Sequence, residues 1–248
     1  GNKLNEEFFK NVNKNENLFN GEQFFIPAGR SFFSNLQESI FSFLKENTIL
    51  DPFLIEFGSN YETFKNIFYR HERNINHDID NIISSILNSE YKREKNIDSL
   101  IHKDSRIVNL SNASSGQQEI LPLLIILRVL ITGRIRLGRG NNYSSIYIEE
   151  PEAHLFPNAQ KAIVRLLARL CNMDKYQVFI TTHSPYLLSS INNHFIAGTI
   201  DDENIKSHVY NIINENELLF AEESTAYSLK NGKCDDLISK EDNIILAE

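Results

Sequence analysis

The run SSIYIEEPEAHLFP, residues 144–157, narrows the possible folds more than any other stretch of this chain. Ile146-Tyr147-Ile148 has the length and β-branched character of a central strand. Three carboxylates, Glu149, Glu150 and Glu152, crowd its end. Such crowding of like charge is unfavourable unless something positive belongs beside it. Pro157 then opens a helix whose Ile163, Leu166, Leu167 and Leu170 share one stripe. A second buried strand is predicted over Gln177–Thr181, and Pro185 opens another helix. Alternation of this kind predicts an α/β fold, a mostly parallel sheet flanked by helices. Ligands bind such sheets at the C-terminal ends of the strands, where the carboxylates sit.

Bulk properties set outer limits. With 248 residues, 41% of them hydrophobic, the chain can bury one large core or two modest ones. No apolar run reaches the roughly 20 residues of a membrane span. The longest, Ile120–Ile131, contains Pro122 and Arg128 and reads as a core helix. The first residues are polar and show no signal peptide. Cys171 and Cys234 lie far apart without metal-type spacing, which excludes a disulfide framework and fits a cytoplasmic setting. A net charge of −8 disfavours non-specific nucleic-acid binding and leaves room for a local basic patch.

Along the chain, Gly21–Ala28 reads as a short strand closed by Pro27. Phe32, Phe33, Leu36, Ile40, Phe43 and Leu44 follow at helical spacing, with Ser34 and Gln37 as a capping box. Asp51-Pro52 starts another helix. From Tyr61 to about Asp98 the pattern stays helical and highly charged, with Ile79, Ile82, Ile83, Ile86 and Leu87 on one side. Gln117–Thr132 is helical, and Asn231-Gly232 marks a hairpin. The expected division is a first-lobe remnant over 1–60, a helical insertion or arm over 61–108, and the motif-bearing part over 109–248.

Three motifs occur in one order. In NASSGQQE, Ser114, Ser115 and Gly116 sit just before the long helix that Gln117 begins. Small residues and a helix N-terminus suit a phosphate; they also suit an ordinary N-cap. In IYIEEPEAHLFP, one glutamate can help hold Mg²⁺ and the next can orient or deprotonate a water; a solvated acidic turn is the plainer reading. In VFITTHSP, His183 follows a buried strand and can meet a phosphate or the attacking water; for a lone histidine, a cap on the helix begun by Ser184-Pro185 is the plainer reading.

The ordered set resembles the second half of the ABC-type ATPase head, a P-loop NTPase-like fold, in the group that includes SMC-like proteins and the overcoming-lysogenization-defect (OLD) nucleases. SSGQQE resembles the signature of bacterial AAA-type ATPases of this group, IEEPEAHLFP their Walker B, and FFIPAGRS (Phe24–Ser31) also looks like them. The resemblance implies ATP and Mg²⁺ as cofactors and a homodimer that sandwiches nucleotide. It places Ser114 and Gly116, with Ser115 and Gln117, against the γ-phosphate of ATP on the opposite subunit. Glu149 matches the metal-side acidic position, where many relatives carry Asp. Glu150 matches the catalytic glutamate and His183 the switch histidine. Ala153, His154 and Leu155 fall on the D-loop that crosses the interface. Relatives act in phage defence and DNA maintenance, so DNA or an effector protein is an expected partner.

No G-x-x-x-x-G-K-[ST] loop occurs in the sequence. The expectation is therefore a partial domain, inactive alone, whose phosphate loop lies N-terminal to these residues. Residues 184–248 are too few for an added Toprim nuclease domain. Arg134, Arg136 and Arg139, among three glycines, read as a solvated loop or a contact to DNA. His71 and His77 are spaced wrongly for a zinc protease. Arg30 reads equally as a phosphate or dimer contact and as a structural ion pair. A second function fits the missing loop and the Glu at the metal position: a scaffold or regulatory module that binds a partner and hydrolyses nothing.

Overall fold

The computed structural model describes residues 22–33, 51–70, 76–94, 97–133, 144–173, 175–239 and 241–246. In chain order the elements are β1 (Gln23–Ile26), α1 (Pro52–Arg70), α2 (His77–Leu87), β2 (Glu90–Glu94), β3 (Ile97–Ile101), β4 (Ile107–Asn109), α3 (Ser115–Ile131), β5 (Ser144–Glu149), α4 (Pro157–Cys171), β6 (Tyr176–Thr181), α5 (Pro185–Gly198) and α6 (Glu203–Val209). β7 (Tyr227–Lys230), β8 (Lys233–Asp236), β9 (Ile238–Ser239) and β10 (Ile244–Ile245) follow.

β1, β5 and β6 form a parallel sheet in that order. Its register aligns Phe24 with Ile146 and Val178, and Ile26 with Ile148 and Ile180. β5 is central, and Ile146 and Ile148 are fully buried. α3 is apolar around its whole circumference, as a helix inside a core must be. From Glu119 to Leu130 every one of its residues is buried. Truncating one of these leucines to Ala costs about 2–5 kcal/mol. α4 turns Ile163, Val164, Leu166, Leu167 and Leu170 into the same core. The fold is α/β and P-loop NTPase-like, with helices flanking a parallel sheet.

The helical pattern extending to Asp98 is corrected. α2 stops at Leu87, where Asn88 takes a left-handed conformation at φ 51°, and β2, β3 and β4 form an antiparallel sheet. The charged run Glu90–Glu94 reads as a solvated helix only if its period is ignored. Alternate residues Tyr91 and Arg93 turn inward, a period of two. Pairing with β3 and an ion cluster around Asp98 override the helical propensity. α2 itself packs its five apolar residues into the main core, against α3 and α4.

The hairpin at Asn231-Gly232 forms, with φ of 53° and 73° at the two turn positions. The Ser34–Gln37 capping box, the Phe stripe beyond Phe33, His71, and the arginines at 134, 136 and 139 lie outside the described residues. Among the described residues, no helix is long and apolar enough to cross a membrane.

Candidate functional site

β5 ends at Glu149, level with Thr181 at the end of β6. The Glu150 N–H still donates to the Thr181 carbonyl at 2.9 Å. The chain then folds into a tight turn. The Ala153 N–H reaches the Glu150 carbonyl at 3.0 Å, and the Leu155 N–H reaches the Glu152 carbonyl at 2.9 Å. Glu150 sits at φ 39° and His154 at φ 60°, left-handed conformations that cost non-glycine residues about 1–3 kcal/mol. Such strain persists only where surrounding structure over-determines it.

Arg30 does much of that determining. Its side chain is completely buried. Its Nη1 donates to the carbonyls of Pro27 at 2.9 Å and Glu149 at 2.8 Å, and its Nη2 donates to the carbonyl of Glu150 at 3.0 Å. Nε donates to the Glu119 carbonyl at 3.1 Å, and the Glu119 carboxylate lies 3.4 Å away as the ion-pair partner. That carboxylate also accepts the backbone N–H groups of Arg30 and Ser31, at 2.8 and 2.9 Å. One fork of donors thus ties β1, α3 and the acidic turn together. Burial pulls the guanidinium below its ordinary value, and the charges of Glu119, Glu152, Glu150 and Glu149 push it back up. It remains a cation at neutral pH. Of the two readings of Arg30, the described residues give it the structural ion pair.

Glu149 points an oxygen at the Ala28 N–H, 3.1 Å away. The Glu150 carboxylate is 43% exposed and lies 3.8 Å from Nε2 of His183, whose side chain is 91% exposed. That gap is too long for a hydrogen bond. It leaves both groups open toward solvent on the same edge of one sheet. Mg²⁺ takes one or two carboxylates, keeps several waters and completes its shell with phosphate oxygens. No cluster of three metal-binding side chains occurs among the described residues. Glu149, with one carboxylate oxygen beyond its bond to Ala28, is a donor that fits Mg²⁺ completed by waters and phosphate oxygens.

Ser114 is the N-cap of α3 and accepts from the Gln117 N–H at 3.3 Å, while Gln117 Oε1 accepts from the Ser114 N–H at 3.2 Å. Gln117 Nε2 donates to the Leu87 carbonyl at 2.8 Å. Its side chain is thus occupied in a capping box and in holding α2. Ser114 and Ser115 are exposed. A Cβ on Gly116 would lie 2.8 Å from the His154 carbonyl oxygen. Glycine is needed there because the first turn of α3 packs directly on the turn after β5. The first and second motifs are in contact, and the second and third are neighbours across β5 and β6.

Sequence reading missed the roles of Glu119, Thr182, Ser184 and Gln160. Glu119 closes the SSGQQE motif and Gln160 lies in the first turn of α4, so position in a motif was the signal available. Their partners are far away in sequence and carry no local mark.

The family model described as the AAA ATPase domain matches residues 2–188, three quarters of the chain. The chain belongs to that family. It is also similar to an OLD nuclease from Thermus scotoductus, 41% identical over 46 residues. That match covers 18% of this chain and 9% of the relative's length.

Proposed function

We propose that this chain contributes the signature turn, the acidic turn and the switch histidine of an ATP-hydrolysing head of the ABC/SMC-like class. The observation that carries the reading is the pairing of Glu150 and His183 at 3.8 Å on the C-terminal edge of adjacent parallel strands. Mg²⁺ would supply positive charge that offsets the charge of the phosphates. Glu149 would help hold it. Glu150 accepts a proton from the attacking water, and its exposure leaves room for that water. His183 donates a hydrogen bond to the terminal phosphate and marks its presence.

Ser114 and Ser115 are exposed at a helix N-terminus, where the backbone N–H groups of Ser115 and Gly116 and the Ser114 hydroxyl would meet a phosphate carried by a second copy. His154, exposed at a strained turn that touches Gly116, lies on the same interface. The phosphate-cradling loop comes from outside these 248 residues, and the working unit is a dimer closed by ATP. A DNA-linked or phage-defence task is consistent with the relative named an OLD nuclease. Residues 1–248 alone are expected to bind ATP weakly and turn none over.

Steady-state ATP turnover by the complete protein is the test. Glu150→Gln should lower kcat by at least about 100-fold while ATP binding persists. Unchanged turnover would remove Glu150 from the role. The second reading, a non-hydrolysing scaffold that binds a partner protein or DNA, draws on Glu149, whose carboxylate is engaged by Ala28 N–H. Mg²⁺-dependent turnover by the intact protein rules it out.

A further inference from the structure

We propose that Glu152 is a positioning residue that fixes His183 relative to Glu150; the inference rests on the hydrolytic reading above. Residues 182–184 run past the end of β6, which has no strand on its outer side among the described residues. The His183 side chain is 91% exposed, so its own packing does little to hold it. Its place is set through its backbone.

Glu152 supplies that hold. It is 8% exposed, and its Oε1 accepts both the Thr182 hydroxyl and the His183 N–H, the latter at 3.1 Å. Thr182 Oγ1 in turn accepts the Ser184 N–H at 3.0 Å. A second staple runs alongside. Gln160 Oε1 accepts the Ser184 hydroxyl at 2.5 Å, and Gln160 Nε2 donates to the Leu155 carbonyl at 2.9 Å. The Leu155 N–H to Glu152 carbonyl bond closes the ring. Two side chains of the acidic turn and α4 thereby clamp the whole histidine turn.

The other carboxylate oxygen of Glu152, Oε2, is buried with no hydrogen-bond partner among the described residues. An unpaired buried carboxylate oxygen is costly. Here the Glu152 charge acts on Arg30, where among the carboxylates only Glu119 acts more strongly. Arg30 already holds the Glu149 and Glu150 carbonyls. Glu152 thus holds the turn that carries His183 from the same acidic turn whose Glu149 and Glu150 carbonyls Arg30 holds.

The test compares Glu152→Ala with Glu152→Gln in the complete protein. Gln keeps an acceptor at the Oε1 position; Ala removes it. Without nucleotide, exchange of the His183 amide hydrogen should quicken by about tenfold or more in the Ala variant and by less than about threefold in Gln. With ATP and Mg²⁺, Ala should lower kcat by about 10–100-fold with the ATP Kd unchanged within about twofold, and Gln should restore most of the loss. Wild-type amide exchange in the Ala variant overturns the proposal. So does wild-type kcat, or a Gln variant as impaired as Ala in both measurements. Equal turnover in wild type and Glu150→Gln sinks the hydrolytic reading instead, while the exchange result still decides whether Glu152 holds the turn.

Discussion

Two of the buried ion clusters among the described residues differ in how the polar atoms of their cations are used. At the parallel sheet, Arg30 spends its donors on the carbonyls of Pro27, Glu119, Glu149 and Glu150, with Glu119 as counter-charge. At the antiparallel sheet, Asp98 gathers Lys65 Nζ at 3.4 Å, the Tyr91 hydroxyl at 2.6 Å and Arg93 Nε at 3.7 Å. That second cluster leaves the Tyr61 hydroxyl and Arg93 Nη1 buried without a partner among the described residues. Burial first, and then the charge of Asp98, push the Tyr61 and Tyr91 hydroxyls far above their ordinary range, so both stay protonated. The first cluster fixes a backbone conformation, down to a glutamate at positive φ. The second fastens a small sheet onto α1 with looser geometry. Every nitrogen of the buried Arg30 guanidinium has a hydrogen-bond partner where the backbone of the acidic turn is held.

The largest test of this contrast is removal of one member from each cluster. Arg30→Ala strands a buried Glu119 carboxylate and the four carbonyls that Arg30 binds, and should cost about 3–5 kcal/mol in urea unfolding. That approaches the whole stability of many domains, so low soluble yield is also expected. Asp98→Ala leaves Lys65 still paired with the half-exposed Glu62 at 2.5 Å, and should cost about 1–3 kcal/mol. An Asp98 variant as damaged as the Arg30 variant would erase the distinction.

A smaller effect separates two glycines. A Cβ at Gly116 would meet the backbone oxygen of His154 at 2.8 Å, whereas one at Gly58 in α1 would meet the far end of the Phe33 ring at 2.8 Å. Backbone yields less readily than a ring edge. Gly116→Ala should cost about 1–3 kcal/mol by the cost of overpacking. Gly58→Ala should cost less, because Ala regains about 1 kcal/mol of helix propensity. Comparable unfolding midpoints for the two variants would show that the acidic turn is not rigid.

The smallest expected effect lies at a third charged corner. Glu217 is fully buried, bound by Arg165 and Arg169, and its carbonyl lies 2.6 Å from His194 Nδ1. Burial depresses the His194 value below that of a free histidine. The unfolded chain then binds the extra proton first, so stability is present above about pH 6.5 and is lost as pH falls through the folded value. Thermal midpoints should fall on acidification from pH 7.5 to 5.5, and His194→Gln should flatten that slope. An unchanged slope would remove His194 from the account.

Much of the parallel sheet was legible in the sequence because its signals are local. Ile146–Ile148 is short and apolar, Pro157 and Pro185 occupy first helical positions, and Asn231-Gly232 fits a primed turn. β2 has a period of two in the sequence, but it is short, and charged Glu90, Lys92 and Glu94 on its exposed face imitate a solvated helix. The pairing of motifs could be expected only from their order along the chain. Arg30 reaches Glu149 across 119 positions, and Glu152 reaches His183 across 31. Contacts at such separation have no period, cap or turn to announce them. Ser114 and Gln117 show the converse. Their local signal of an ordinary N-cap was genuine, and the structure makes of it a full capping box.

The central claim is that Glu150 and His183 act on one nucleotide. A double-mutant cycle in ATP turnover by the complete protein tests it most directly, using Glu150→Gln, His183→Ala and both together. Groups that act as a unit lose little more together than the worse single variant loses. The account predicts that the double variant falls within about threefold of Glu150→Gln. Losses that multiply across the two sites, or turnover untouched by either change, would contradict it.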